Sequence, residues 1–233
     1  MPSGEVDDAQ PGGGVGASTT GSATLLGQGY QGAVYRVETA DGPVIVKKPI
    51  GRGVARALRR AMLRREYGIY QLLAGVPGVP ACRGLRPGDE LVLDLVPGVS
   101  LREPGQPAGD RERFFAELLQ LIQAVHRARV AHGDLKRKDN ILVGPGGHPF
   151  LIDFGTAVSA PPGSGALRRW LFRQMRRTDL NAWVKLKYQR QWVEMDPADR
   201  KYLRPTLPEA VARRLRRAWR RLTLRRLRRP RPD

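Results

Sequence analysis

Alternating apolar and polar residues open the patterned part of the chain. From residue 23 to 50, the sequence ATLLGQGYQGAVYRVETADGPVIVKKPI predicts two or three short strands. A glycine-rich turn and an Asp-Gly turn at 41–42 separate these strands. Because side chains alternate along a strand, the VIVK run places Lys47 with Ile45 on one face and Lys48 with Val46 on the other.

Helical spacing of apolar residues follows. Residues 56–74 read as a helix that ends near Gly75, and LVLDLV at 91–96 reads as a buried strand. Asp110 is placed to cap a second helix over 111–130. The apolar faces of these two helices comprise Leu58, Met62, Ile69 and Leu73 in the first, and Phe114, Leu118, Ile122 and Val125 in the second.

The rest of the chain adds the short strands ILV and FLIDF and then two helical segments. One is ALRRWLFRQMRRTDLNAWVKLKY; the other begins at PEAVARR, with a capping box at Thr206 and Glu209. Strands with one helix, followed by helices with a small hairpin, predict an α+β architecture of two lobes. We expect the lobes at 21–97 and 98–204, a disordered arm at 1–20 and a basic amphipathic helix at 205–233.

Composition narrows the class of protein. The 233 residues suffice for one domain or two small lobes. A single cysteine, Cys82, excludes an internal disulfide and fits a reducing compartment; it lies in a loop-like stretch and receives no role. With neither an apolar run of membrane-spanning length nor a signal peptide, we expect a cytoplasmic protein.

Positive charge is concentrated in the last third. The net charge is +19, and residues 168–233 hold 22 basic and 6 acidic residues. Such a field favours polyanions. The segment 209–231 holds 11 arginines and one acid, and we expect it to form an amphipathic helix. Such a helix would bind an anionic surface on the inner face of the membrane. Nucleic acid ranks below it because Trp219 is the sole aromatic there. The alternative is a helix docked on the protein with its arginines solvated.

Three glycines, Gly27, Gly29 and Gly32, form a G-x-G-x-x-G pattern that is followed by Val34. Glycines let a backbone approach phosphates and present its N–H groups to them. The pattern precedes a strand rather than a helix, which disfavours a dinucleotide-binding fold. An ordinary hairpin is the alternative interpretation.

Lys47 lies on a predicted strand near these glycines, where it could neutralise phosphate charge. Such a lysine needs a carboxylate, and Glu66 is the only acid between Asp41 and Asp89. The alternatives are a surface lysine at a strand end and an ordinary ion pair between Glu66 and a neighbouring arginine of its own helix.

The segment 131–157, AHGDLKRKDNILVGPGGHPFLIDFGTA, holds three oxygen-bearing side chains: Asp134, Asn140 and Asp153. Asn140 and Asp153 offer the oxygen ligands that Mg²⁺ prefers. Asp134 could orient a hydroxyl and accept its proton, and Lys136 could reach a transferring phosphoryl group. The alternative is that Asp134 and Asn140 only cap turns.

Taken in order, these motifs resemble the protein-kinase-like superfamily. GQGYQGAV resembles the glycine-rich loop, VIVK the strand with the phosphate-binding lysine, and Glu66 its helical partner. LVLDLVPGVSL resembles the hinge, HGDLKRKDNIL the catalytic loop and LIDFG the metal-binding loop. The resemblance covers residues 23–188 and implies a bilobal fold with a β-rich N-terminal lobe and a reduced helical C-terminal lobe.

The resemblance also implies a role for each residue in binding ATP and Mg²⁺. The glycine-rich loop would cover the phosphates, a lysine paired with a glutamate would hold the α- and β-phosphates, and the hinge backbone would bind adenine. The catalytic loop would supply a base and a lysine, and the catalytic and metal-binding loops would each supply one metal ligand. These positions are, in that order, Gly27, Gly29, Gly32 and Val34; Lys47 and Glu66; Asp94 and Val96; Asp134 and Lys136; and Asn140 and Asp153.

The chain departs from the protein-kinase pattern in several places. Asn140 lies six residues after Asp134, where five are usual, so that Asp139 occupies the usual position. A one-residue bulge would restore Asn140 as the metal ligand; otherwise Asp139 is itself a possible ligand. Gly133 replaces an arginine, and no Ala-Pro-Glu motif follows Asp153, so we expect no control by an activation loop. These features resemble compact bacterial kinases of the RIO-like and lipopolysaccharide Kdo kinase groups.

The implied acceptor is a hydroxyl. Ser/Thr of a protein is the first expectation, and a sugar of a lipopolysaccharide precursor is the second. A pseudokinase scaffold that binds a partner through its basic tail is the rival from another class, and the intact catalytic motifs argue against it.

Overall fold

The protein is described here by a computed structural model that covers residues 22–29, 32–189, 193 and 195–204. Its first part is a five-stranded antiparallel sheet in the order β1-β2-β3-β5-β4, with one helix between β3 and β4. The elements are β1 (Ala23–Gly29), β2 (Gly32–Val37), β3 (Val44–Lys48), α1 (Gly53–Leu72), β4 (Cys82–Arg86) and β5 (Glu90–Asp94).

The second part contains two long helices and short strands. The strands form a three-stranded sheet, β6-β8-β9, and a two-stranded sheet, β10-β7. The elements are β6 (Val99–Ser100), α2 (Arg111–Arg127), β7 (Val130–Ala131), β8 (Ile141–Val143), β9 (Pro149–Leu151), β10 (Val158–Ser159) and α3 (Ala166–Tyr188). The predicted α+β class is therefore confirmed.

Burial explains why these segments pack as they do. The Asp110 side chain caps α2 by accepting a hydrogen bond from the Arg113 amide at 2.9 Å. The predicted apolar face of α2, which includes Phe114 and Leu118, is buried in the main core. Trp183 of α3 is buried in the same core and donates its indole N–H to the Phe115 carbonyl at 2.8 Å. Leu135, Ile141, Leu151 and Phe154, which belong to the segment 131–157, are buried in this core.

Two local interpretations were wrong. Cys82 lies on strand β4, not in a loop; the CRGLR strand is half-polar, and its pairing with β5 shifts register beside Gly84, so it carries no clear alternation. FLIDF does not continue as a strand to its end, because β9 stops at Leu151 and Asp153 turns into the left-handed region at φ 62. Helix α1 also begins three residues before the predicted start.

The predicted arm at 1–20 and the predicted helix at 205–233 lie outside the described residues. Within the described part of the chain, none of the helices combines the length and apolar character that a membrane crossing requires.

Candidate active site

Lys47 joins the sheet, helix α1 and the loop after β9. Its Nζ donates to Glu66 Oε1 at 2.7 Å and to Asp153 Oδ1 at 2.9 Å. Lys47 is nearly buried, whereas its neighbour Lys48 pairs with Glu90 at 3.0 Å and is 41% exposed at its side chain. The strand alternation predicted for this pair of lysines is therefore observed.

The two carboxylates determine the protonation of this cluster. Burial by itself lowers the pKa of Lys47, but Glu66 and Asp153 outweigh it and raise that pKa above the ordinary value. Burial likewise raises the pKa of Asp153, but the Lys47 ammonium dominates and lowers that pKa below its usual value. The cluster thus holds an ammonium ion against an ionised Asp153, the charge state suited to binding phosphate and a cation.

Helix α1 fixes this cluster with two adjacent residues. Glu66 is 1% exposed and holds Lys47. Arg65 donates to the Gly155 carbonyl at 2.9 Å and also to the Ala157 carbonyl. These two hydrogen bonds connect α1 to the segment that follows Asp153. The sequence reasoning missed Arg65, because the helix is rich in arginine and nothing in the pattern distinguishes this one.

The glycine pattern lies on the β1–β2 hairpin. Gly29 pairs with Gly32, and Val34 of β2 pairs with Lys47 of β3, so the hairpin lies beside the lysine. Gly32 has φ +146, and a Cβ built there would stand 2.2 Å from the Lys48 carbonyl oxygen. Only glycine fits this position, where hairpin and β3 backbones approach closely. A Cβ on Gly27 would meet no atom of the described residues within 4 Å, so that part of the hairpin is open toward them.

Residues 132–137, which resemble the start of the kinase catalytic loop and are called the catalytic turn for that reason, begin just after β7. Leu135 is buried, which anchors the turn and leaves Asp134 half-exposed and Lys136 exposed on either side of it. The Asp134 carboxylate accepts no hydrogen bond from any residue that the structure describes. This carboxylate is therefore available to a hydroxyl group.

Asn140 is linked to this turn, and Asp139 is not. The Asn140 Nδ2 donates to the Asp134 carbonyl at 3.0 Å, and Asn140 is 4% exposed. Asp139 instead pairs with Arg102 at 2.7 Å. The extra residue between Asp134 and Asn140 is accommodated in a 3-10 turn at Lys138–Asn140. Asn140 is thus turned inward and Asp139 outward.

Backbone hydrogen bonds connect the catalytic turn to the loop of Asp153. The Ile152 amide donates to the Asn140 carbonyl at 3.0 Å, and His132 Nε2 lies 2.9 Å from the Ile152 carbonyl. Phe154 is fully buried, with its ring 4.8 Å from that of His132. Asp153 therefore projects from a segment fixed on both sides, in a left-handed conformation that Asp tolerates better than most residues.

Asp179 of α3 supports the catalytic turn from below. It is 0% exposed, and its two carboxylate oxygens accept hydrogen bonds from the amides of His132 and Gly133, each at 2.8 Å. His126 Nε2 of α2 lies 3.0 Å from the same carboxylate. The sequence reasoning missed Asp179; the available signal was that it is the one acid in the predicted helix over 166–188.

Gly133, where most protein kinases have arginine, is also constrained. It has φ +84, and an added Cβ would lie 3.3 Å from the Thr156 carbonyl and 3.4 Å from Met175 Sδ. Glycine suits this left-handed position beside the segment after Asp153.

The hinge residues lie at the end of β5, away from the charged cluster. The Asp94 amide donates to the Ala81 carbonyl at 2.8 Å, and the Asp94 side chain pairs with Arg83 at 2.5 Å. The Val96 amide donates to no described residue. Val96, rather than the Asp94 amide, is therefore the free donor at this edge.

Lys47 and Lys48 allow a matched test of which lysine on β3 acts in the cluster. We expect Lys47→Ala to lower phosphotransfer on the order of 10²-fold or more, since it removes the charge between Glu66 and Asp153. Lys48→Ala removes a partly exposed ion pair with Glu90 and a cation–π contact with Tyr35, both outside the cluster, and is expected to change the rate less than about twofold. Steady-state phosphotransfer rates of the two variants are compared with that of the wild type, and thermal melting checks that both variants are folded. Greater loss in Lys48→Ala would contradict the assignment.

Three features together define a protein-kinase-like phosphotransferase. They are a small antiparallel sheet with one helix, a mainly helical second part, and the cluster of a lysine, a glutamate and an aspartate between them. The chain belongs to the phosphotransferase enzyme family (APH), whose profile matches residues 22–137 and 98–164, more than half of the 233 residues.

Individual kinases show the same likeness. The 3-deoxy-D-manno-octulosonic acid kinase of Stenotrophomonas maltophilia is 27% identical over 187 residues, which cover 72% of each chain. The EKC/KEOPS complex subunit BUD32 of Encephalitozoon cuniculi is 31% identical over 136 residues, 56% of this chain and 66% of that protein. A putative cyclin-dependent kinase F-2 of Oryza sativa is 34% identical over 159 residues. That match spans 59% of this chain but about half (48%) of the rice protein.

Proposed function

We propose that the protein is an ATP- and Mg²⁺-dependent kinase that transfers the γ-phosphate to a hydroxyl group. The observation that carries the proposal is the contact of Lys47 with both Glu66 and Asp153, beside a turn that presents Asp134 and Asn140. Phosphoryl transfer depends on positioning and on charge neutralisation, and this cluster supplies the groups for both.

The residues fit the nucleotide and its metal. The Lys47 ammonium would bind the α- and β-phosphates, and the open backbone around Gly27 would cover them. The free Val96 amide would donate to the adenine ring. For Mg²⁺, the donors are the Asp153 carboxylate and the Asn140 side-chain oxygen, since the amide nitrogen of Asn140 is already used. Bound Mg²⁺ would neutralise charge on the phosphates.

Asp134 would orient the acceptor hydroxyl and take its proton. Its carboxylate is half-exposed and unpaired among the described residues, so it can accept a hydrogen bond from an incoming hydroxyl. Lys136, exposed two residues later, would approach the phosphoryl group and offset its charge. Asp179 holds the backbone of this turn, so Asp134 approaches the acceptor from a fixed position.

The metal assignment has a direct test in the pair Asn140 and Asp139. We expect Asn140→Ala to raise the Mg²⁺ concentration for half-maximal rate by at least about tenfold. Asp139→Ala loses its ion pair with Arg102 and a 3.4 Å hydrogen bond from the Ser100 hydroxyl, and is expected to leave the Mg²⁺ requirement unchanged. Mg²⁺ titrations of the initial rate compare them, and a larger shift for Asp139→Ala would reverse the assignment.

Two acceptors are supported by different observations. A protein Ser/Thr hydroxyl is favoured by Lys136, which is typical of the protein-kinase catalytic loop. A sugar hydroxyl is favoured by the likeness to the octulosonic acid kinase, which extends over 72% of both chains. Transfer of labelled phosphate from ATP into cell fractions separates these acceptors, according to whether the label enters protein or lipopolysaccharide precursor. Binding of residues 205–233 to an anionic membrane surface stays a prediction.

A further inference from the structure

A cavity of about 560 Å³ lies between α2, α3 and the 3-10 turn at Asp199–Tyr202. None of the residues that line it is among the proposed nucleotide, metal or acceptor residues. Its volume is in the range of pockets that hold small organic ligands. It is therefore a second concave site on the molecule.

The cavity combines an apolar wall with a basic rim. Phe172 is 5% exposed and, with Leu180 and Tyr202, supplies the wall. Three arginines, Arg127, Arg129 and Arg176, line the same cavity and are exposed. The Arg176 guanidinium lies over the Phe172 ring at 5.7 Å, so charged and aromatic surfaces adjoin.

No acidic side chain among the described residues pairs with the arginines of this rim. The Arg127 and Arg129 guanidinium groups form no ion pair or hydrogen bond with any described residue, and none of the described residues that line the cavity carries a carboxylate. Two other exposed arginines do have acid partners, Arg113 with Glu117 and Arg102 with Asp139, whereas these rim arginines lie together around one cavity. Like charges that converge on one cavity repel each other, and a bound anion relieves that repulsion.

The segment that follows Arg204 has few acidic side chains that could act as this anion. The residues after Arg204 contain 11 arginines and only two acids, Glu209 and Asp233. A segment so rich in positive charge is repelled by three more arginines. The anion is therefore expected to come from outside the chain.

We propose that this cavity binds a phosphorylated small molecule with an aromatic or otherwise flat apolar part. The guanidinium groups of Arg127, Arg129 and Arg176 suit phosphate oxygens because their planar donors match phosphate geometry. The ring of Phe172 and the side chain of Leu180 would cover the apolar part.

The site adjoins the support of the catalytic turn. His126 lines the cavity and also contacts Asp179 at 3.0 Å. Asp179 in turn holds the amides of His132 and Gly133. A ligand in the cavity would thus lie against His126, which contacts the carboxylate that holds the catalytic turn.

The test is calorimetric titration of the full-length chain with phenyl phosphate, with inorganic phosphate and benzyl alcohol as the charge-only and ring-only probes. We expect one phenyl phosphate to bind this cavity, more tightly than either simpler probe. Arg127→Gln/Arg176→Gln should weaken that binding about tenfold or more, because charged hydrogen bonds are lost. Arg173→Gln, an exposed arginine of α3 outside the cavity, is the matched control and should bind like the wild type.

One further variant, Lys47→Ala, distinguishes the cavity from the nucleotide site. Binding that survives Lys47→Ala supports the cavity, whereas loss in Lys47→Ala with retention in Arg127→Gln/Arg176→Gln would overturn the proposal in favour of the nucleotide site. Equal weakening by Arg173→Gln would also overturn it, because general attraction to a basic protein would then explain the binding. Thermal melting of each variant confirms that the compared proteins are folded.

Discussion

Replacing Asp179 with alanine is expected to lower the free energy of unfolding by about 3–5 kcal/mol and to remove most phosphotransfer activity. The carboxylate is fully buried and accepts from the amides of His132 and Gly133, with His126 as a third partner. Without it, these groups stay buried and unpaired. Because the amides belong to the catalytic turn, Asp134 loses its fixed position as well.

Asp110→Ala is the matched control for this change. Asp110 is also an aspartate that accepts from a backbone amide, that of Arg113 at 2.9 Å, but it is exposed. Its loss is expected to lower the unfolding free energy by only about 1 kcal/mol and to leave the rate unchanged. Urea denaturation measures both effects. Similar destabilisation by the two variants would contradict the structural role given to Asp179.

Asp153→Asn is expected to reduce phosphotransfer on the order of 10³-fold while leaving the protein folded. Asparagine tolerates the left-handed conformation at this position and has nearly the same shape, so the change removes mainly charge. The proposed metal site loses its carboxylate, and Lys47 loses one of its two acidic partners.

Asp139→Asn is a close control, since the two side chains are similarly exposed, 37% for Asp153 and 39% for Asp139. Asp139 pairs with Arg102 outside the cluster, so its neutralisation is expected to change the rate less than about twofold. Initial rates at saturating ATP and Mg²⁺ compare them. An active Asp153→Asn enzyme would contradict the proposed metal site.

Parts of the site were predictable from the sequence because short-range rules decide them. Strand alternation separates Lys47 from Lys48, and the structure bears this out through their different partners. Glu66 was identified because no other acid lies between Asp41 and Asp89, so a partner for the lysine had one candidate. The cap of α2 at Asp110 follows from local side-chain chemistry in the same way.

Other parts depend on contacts between distant segments. Asp179 lies 46 residues after Gly133, and no periodicity relates an acid on α3 to a turn near β7. Arg65 reaches a carbonyl 90 residues away, and its sequence neighbourhood is full of arginines. Strand β4 has no alternation because Gly84 and two arginines occupy it, and it is defined by pairing with β5.

The sequence alone left open whether Asp139 or Asn140 is the metal ligand, because the answer depends on local backbone geometry. Counting residues from Asp134 favours Asp139, whereas the 3-10 turn at Lys138–Asn140 changes which side chain faces inward. The Asn140 contact with the Asp134 carbonyl and the Asp139 contact with Arg102 both depend on that local geometry.

The most direct measurement is transfer of labelled γ-phosphate from ATP by the wild-type chain and by Asp134→Asn, in the presence of Mg²⁺ and after its removal with EDTA. The wild type is expected to consume ATP only with Mg²⁺. Asp134→Asn should be at least about 10²-fold slower with an unchanged melting temperature, because its carboxylate has no structural partner among the described residues. Phosphotransfer that is equal in the two proteins, or that persists fully in EDTA, would contradict the proposed kinase mechanism.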